Sequence, residues 1–319
     1  VNTILKLAPI FKEKIWGGKN LASQFHYNIP SDQTGECWGI SGHENGSNKV
    51  EDGRWKGKTL RELWKGEPQL FGLSSQDEFP LLVKIIDAQD DLSIQVHPDD
   101  EYAKQKEDYA YGKTECWYIV SAEPGAELVL GHHAETKAEL EAYVEKEQWK
   151  ELFRTVPVQA GDFIYVPSGT VHAIGAGIVL LEVQQSSDIT YRFYDYDRPG
   201  QDGKMRELHI EDSIACTMVP HEDAAPPRKE WEEGDGKIEE LIDNPYFSVK
   251  SCRVNGSMLL RKRAPYQLVT VLEGEGEALV NEETRHVVKG DHLLIPADTA
   301  SVKWTGDLHF IVAEPGEEA

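Results

Sequence analysis

The feature that most restricts what this chain can fold into is a strand-turn-strand motif that occurs twice. Its first copy runs Gly161-Asp-Phe-Ile-Tyr-Val-Pro167-Ser-Gly169-Thr-Val-His172. Gly161-Asp162 turns the chain, Phe163 to Val166 reads as a short buried strand, and Pro167-Ser168-Gly169 stops it with a second tight turn. The next strand opens with Thr170-Val171-His172, which sets one imidazole at a fixed depth on one sheet face. The second copy, Gly290-Asp-His-Leu-Leu-Ile-Pro296-Ala-Asp298-Thr-Ala-Ser301, keeps the Gly-Asp pair, the apolar run, the Pro and the Thr. Asp298 stands in place of Gly169, and Ser301 in place of His172. Two copies with the same punctuation point to two tandem units of one β architecture.

Side chains able to bind a cation gather around the first copy only. In Gln95-Val96-His97-Pro98 the Gln and His stand at i and i+2, which a strand turns to one face. Glu115, in Gly112-Lys-Thr-Glu115-Cys-Trp-Tyr, heads another apolar strand. With His172 these residues make a hard-to-borderline set that suits a first-row metal. Ahead of the second copy, the run Leu268 to Val280 reads as a hairpin with no His at its head, and Gln267 stands roughly where Glu115 does. The pattern resembles the cupin superfamily, in which the His at the position of His172 is a metal ligand. The expected fold is therefore mainly β: two tandem cupin domains, jelly-roll β-barrels, with a few short helices inserted.

Along the chain, Phe79-Pro-Leu-Leu-Val-Lys-Ile-Ile-Asp87 is nearly continuous in apolar residues and predicts a strand buried on both faces. Thr59-Leu-Arg-Glu62 and Thr136-Lys-Ala-Glu139 are capping boxes, the second opening a helical segment that breaks near Glu147. His132-His133 follows a Gly at a strand end and reads as surface. Residues 221–237, acidic and holding Pro226-Pro227, read as a linker. They separate a metal-binding domain at 1–220 from a metal-free C-terminal domain at 238–319.

A length of 319 residues with 39% hydrophobic content suits two globular domains. The formal net charge of −23 argues against nucleic acid or an anionic membrane as partner. An anionic substrate must then be captured by a local cluster of Arg and Lys. No apolar run approaches the roughly 20 residues of a membrane span. The opening Val1-Asn-Thr-Ile-Leu-Lys-Leu-Ala-Pro9 turns polar too soon for a signal peptide. Cys37, Cys116, Cys216 and Cys252 are scattered, as expected of reduced thiols in the cytoplasm.

Trp16-Gly-Gly, Gly35-Glu-x-Trp38, Gln95-Val-His97-Pro-Asp, Gly112-Lys-Thr-Glu115, Val166-Pro-x-Gly-x-Val-His172-Ala and Asp188-x-x-x-Arg192 together resemble the type I phosphomannose isomerases, in their short bacterial form. The resemblance covers most of the chain; longer members carry an inserted helical domain for which this chain has no room. It implies one zinc ion (Zn2+) per chain held by Gln95, His97, Glu115 and His172. It also implies a catalytic arginine at Arg192, with accessory groups at Lys113 and Asp188. The implied reaction interconverts mannose 6-phosphate and fructose 6-phosphate through a cis-enediol. Its only expected partner is a small sugar phosphate, with no protein partner required. Two other readings use the same residues: an Fe(II) cupin oxygenase, and a sugar-binding cupin without catalysis.

Overall fold

Short runs rich in Val, Ile and aromatic residues, punctuated by Gly and Pro, pair antiparallel throughout this protein. The structure, a computed structural model, describes residues 4–73, 77–200 and 202–319. Val1 to Thr3 of the opening segment lie outside the described residues.

Two sheets build the N-terminal part. A seven-stranded sheet contains, side by side, Phe163–Val166, Glu115–Ala122, Ile178–Gln185 and Leu81–Ala88, followed by the strands from Ile10–Gly18 to Gly46–Ser47. A five-stranded sheet orders Tyr191–Tyr194, Ile94–Val96, His172–Ile174, Glu127–His132 and Phe153–Pro157. One cluster lies between their facing sides, with Trp117, Ile119 and Leu180 from the first and Leu128 and Ile174 from the second. The jelly roll is thus an open two-layer sandwich, and hydrogen bonding does not close it into a barrel. The outer face of the five-stranded sheet is covered by the helices Lys137–Glu145, Trp149–Leu152 and Ile210–Cys216.

The eight-stranded C-terminal sheet folds over on itself. Its long strands Phe247–Arg261, Gln267–Val280 and Ser301–Pro315 carry Gly256, Gly276 and Gly306 in one cross-strand row. Gly306 has φ 118°, and a Cβ there would lie 2.6 Å from the Glu275 carbonyl oxygen. Glycine at this row lets three strands bend together. Side chains from both sides of the bend then meet in one core, among them Val269, Met258, Trp304 and Phe310.

The largest cluster joins the two parts. Ile85, Val183 and Cys116, on the outward face of the seven-stranded sheet, pack on Phe247, Leu268 and Ile311 of the C-terminal sheet. That explains why Leu81–Ala88 and Ile178–Gln185, largely apolar, are buried over their full length.

The capping box at Thr59 forms both of its bonds. At Thr136 only half forms, because the Glu139 carboxylate accepts from Glu135 N instead. The helix ends at Glu145, and Glu147 takes a left-handed φ of 52° before the next one. Three local findings differ from expectation. Leu5–Leu7 leaves its own half to pair with His292–Ile295, which covers an open edge of the C-terminal sheet. The stretch read as a linker holds the strand Lys229–Glu233, paired with Gly236–Asp243. His132 is buried, since its Nε2 donates to the Met218 carbonyl at 2.8 Å, while His133 is exposed. Among the described residues no helix is long and apolar enough to cross a membrane.

Candidate metal centre

Sheet register brings the sequence-selected residues together. Gln95 pairs directly with His172 on one side and with Arg192 on the other, so the three share one row of the five-stranded sheet. Residues directly opposite in an antiparallel pair project to the same face. Pro98 ends the strand Ile94–Val96 just after His97. Glu115 approaches from the other sheet, where it opens its strand opposite Val166 and Gln184. Lys113 N donates to the Pro98 carbonyl at 3.0 Å. Gly112 permits this tight packing, since a Cβ there would lie 2.4 Å from the Asp99 carbonyl carbon.

His172 Nδ1 donates to the Thr170 carbonyl at 2.8 Å, which leaves the Nε2 lone pair free to point inward. That Nε2 is buried without a hydrogen-bond partner and lies 3.3 Å from Glu115 Oε1. His97 Nε2 lies 3.5 Å from Glu115 Oε2, and the ligand atoms of all three residues fall within 4.8 Å of one another. Burial lowers the His172 pKa to about 4, so its imidazole is neutral at pH 7. Burial and the nearby Lys113 ammonium hold His97 well below its usual value. Burial and Glu182 push Glu115 up, against the pull of Lys113. Two neutral imidazoles, an orphaned buried nitrogen and a carboxylate that would gain from a cation fit a divalent metal. Lys113 Nζ sits among these atoms, 2.7 Å from Glu115 Oε2 and 2.9 Å from His97 Nε2.

Through Glu115 the trio borders a cavity of about 310 Å3 whose wall also includes Gln95, Lys113, Asp188 and Arg192. Arg192 is half-buried, and its Nε is enclosed with no hydrogen-bond partner. Burial and Arg206 lower its pKa. Arg206 shares the wall but is bonded to Asp195 at 2.6 and 2.7 Å. Arg198 also binds Asp195. Asp188 stands at the rim, 39% exposed, and accepts from Asn45 Nδ2 at 2.7 Å and from the Tyr109 hydroxyl at 3.3 Å.

Sequence reasoning missed the other charged residues of this cavity: Lys12, Lys14, Glu36, Lys84 and Glu182. Trp38, Lys84, Glu182 and Trp117 form one cross-strand row. Lys84 Nζ lies 3.2 Å from Glu182 Oε1, and Trp117 Nε1 donates to Glu182 Oε2 at 3.0 Å. Burial would lower Lys84, but Glu182, Glu36 and Glu115 raise it, and it is a cation. Burial opposes ionisation of Glu36 as well, yet Lys84 and Lys14 bring its pKa down to about 2. The available signal was a charge in the middle of each of two largely apolar strands, Lys84 in Leu81–Ala88 and Glu182 in Ile178–Gln185.

Comparison with known proteins agrees with this geometry. Residues 4–116 match the family described as phosphomannose isomerase type I, catalytic domain, and residues 237–315 match the mannose-6-phosphate isomerase cupin domain. The mannose-6-phosphate isomerase ManA of Bacillus subtilis is 48% identical over 305 residues, 96% of each chain. A crystal structure of a Bacillus subtilis mannose 6-phosphate isomerase superposes with a TM-score of 0.96 at 42% identity, covering 98% of this chain and 100% of that one. A mannose 6-phosphate isomerase solved with zinc bound shares the fold at a TM-score of 0.76 and 16% identity, covering 98% of this chain and 100% of the other. A relative matched at this identity over nearly its whole length leaves one assignment: this chain belongs to the type I phosphomannose isomerase family.

Proposed function

We propose that this chain interconverts mannose 6-phosphate and fructose 6-phosphate, using one zinc ion held by Gln95, His97, Glu115 and His172. The observation that carries the reading is the buried trio, with His172 Nε2 unpartnered, whose Glu115 lines a cavity that also holds Lys113 and Arg192. The zinc-bound relative and the names of the close relatives support the metal and the substrate. When bound, zinc supplies a redox-inert Lewis acid beside the sugar oxygens.

The reaction moves one proton from C2 to C1 of the aldose, through a cis-enediol, while a hydroxyl proton shifts between the oxygens. Arg192 brings a permanent cation to the oxygen where negative charge develops. Lys113 Nζ is a donor that hydrogen-bonds in turn to a ligand or to the sugar. Asp188 at the rim and Glu182 on the cavity floor are the carboxylates outside the ligand set that we assign to proton transfer. The phosphate meets Arg206, in the wall, and not Arg198. We also propose that residues 1–220 carry this chemistry and that 238–319 serve as a metal-free packing partner.

The deciding experiment follows sugar-phosphate isomerisation with and without a chelator, alongside elemental analysis of protein purified without added metal. About one equivalent of zinc and chelator-sensitive turnover are expected. Stoichiometric iron would favour the oxygenase reading. Zinc-loaded protein inert toward every hexose phosphate would leave a binding module.

A further inference from the structure

Three lysine–carboxylate pairs lie in the cavity wall: Lys113 with Glu115 at 2.7 Å, Lys84 with Glu182 at 3.2 Å, and Lys14 with Glu36 at 3.5 Å. Lys14 is 36% exposed, and Lys113 touches the ligand set. Lys84 is placed differently. It stands in mid-strand, 7% exposed, in an element otherwise given over to core packing. Its Nζ lies 5.3 Å from the Trp38 ring centroid, and the Glu182 carboxylate lies opposite in register. A buried ion pair rarely stabilises a fold more than an apolar pair of the same volume. Its presence on the floor of a reaction cavity therefore asks for a purpose other than stability.

That purpose is visible at Glu182. One oxygen is fixed by Trp117 Nε1–H, and the other meets Lys84 and has no hydrogen-bond partner besides. Without the ammonium, Glu182 and Glu115 would be two buried carboxylates sharing one cavity, with Lys113 already engaged by Glu115. Such a pair relieves its repulsion by rotating apart. We propose that Lys84 is a positioning residue for the isomerisation: it holds Glu182 oriented on the cavity floor and acts on the substrate only through Glu182. The proposal rests on the isomerase reading above.

A double-mutant cycle tests it, with kcat, KM, zinc content and melting temperature measured on the same zinc-loaded samples of wild type, Lys84→Met, Glu182→Gln and the double variant. Lys84→Met should lower kcat roughly 10- to 100-fold, with KM within about threefold of wild type and zinc retained. The double variant should be no slower than Glu182→Gln alone, because a residue acting through another adds nothing once that other is gone. Multiplicative losses would overturn the proposal, as would a wild-type kcat in Glu182→Gln. Should Lys84→Met fail to fold, the double variant, which leaves no unpaired charge, is compared with Glu182→Gln alone. Equal rates support the proposal and a further drop sinks it. Loss of the isomerase reading itself would show separately, as absence of turnover in wild type.

Discussion

Inside the N-terminal sandwich, the strand Glu115–Ala122 turns Glu115, Trp117 and Ile119 toward the interior. At the matching place in the C-terminal half, Gln267–Val280 turns in Gln267, Val269 and Val271. Glu115 pairs with Val166 and Gln267 with Ile295, the last strand residue before Pro in each copy of the motif. From there the halves diverge. The first leaves a cavity lined with charge, while the second fills the space with Val302, Trp304 and Phe310, the two rings 4.3 Å apart. Where Glu115 faces two imidazoles, Gln267 donates to Glu314 Oε1 at 2.9 Å, and Lys250 lies 2.5 Å from Glu314 Oε2. The scaffold does not decide between catalysis and packing. A few inward positions do, because apolar filling reaches crystal-like density while buried charge opposes stability.

The largest effect should come from emptying the metal set. In a His97→Ala, His172→Ala variant, zinc should fall from about one equivalent to background and turnover by roughly 10³-fold or more. Ser301→His, at the corresponding C-terminal position, should bind no added zinc. Metal retained by the first variant, or gained by the second, would erase the contrast between the halves.

Trp304→Ala attacks the packed side. It should cost about 3–5 kcal/mol in urea unfolding, as for a large buried aromatic, with kcat per folded molecule unchanged. A loss of zinc affinity in still-folded protein would show that the halves are not separable in function. Arg192→Ala probes the open side, where the residue is half-buried. We expect kcat about 10²-fold lower, with zinc content and melting temperature as in wild type. Normal turnover in that variant would make Arg192 a rim residue.

The smallest effect is the acid response of His292 and His309. Burial lowers both to about 3, so the folded state keeps them neutral. The unfolded chain takes up protons near pH 6.5, so stability is complete above that pH and is lost as pH falls toward 3. Each contributes a slope of about 1.4 kcal/mol per pH unit within that window. Glu36, depressed to about 2, has the other sign of charge but the same sense of loss, and only below its ordinary value of 4.5. Urea midpoints of His292→Gln and His309→Gln between pH 7 and 5 should therefore fall less steeply than in wild type. Parallel slopes would mean that these imidazoles are solvated.

Much of this was legible because the signals are local. Gly161 and Pro167 bound the strand Phe163–Val166, and His172 opens the next one, as the turn residues require. The i, i+2 spacing places Gln95 and His97, and Thr59 caps its helix through residues three positions apart. The absence of a ligand His from the second motif was equally plain in Ser301. These features depend on torsions and contacts within a few residues, which the order of amino acids sets directly. Lys84 and Glu182 lie far apart in the chain, in two largely apolar runs, and only the sheet lays them side by side. The pairing of Leu5–Leu7 with His292–Ile295, the strand Lys229–Glu233 and the burial of His132 were hidden for the same reason. Lateral pairing joins segments far apart in the chain, and any strand edge of suitable pattern competes for it. By itself, the sequence determined the repeat, the turns and the residues proposed here as metal ligands. Only the tertiary structure decided which distant strands became neighbours, and with that which buried charges meet in the cavity.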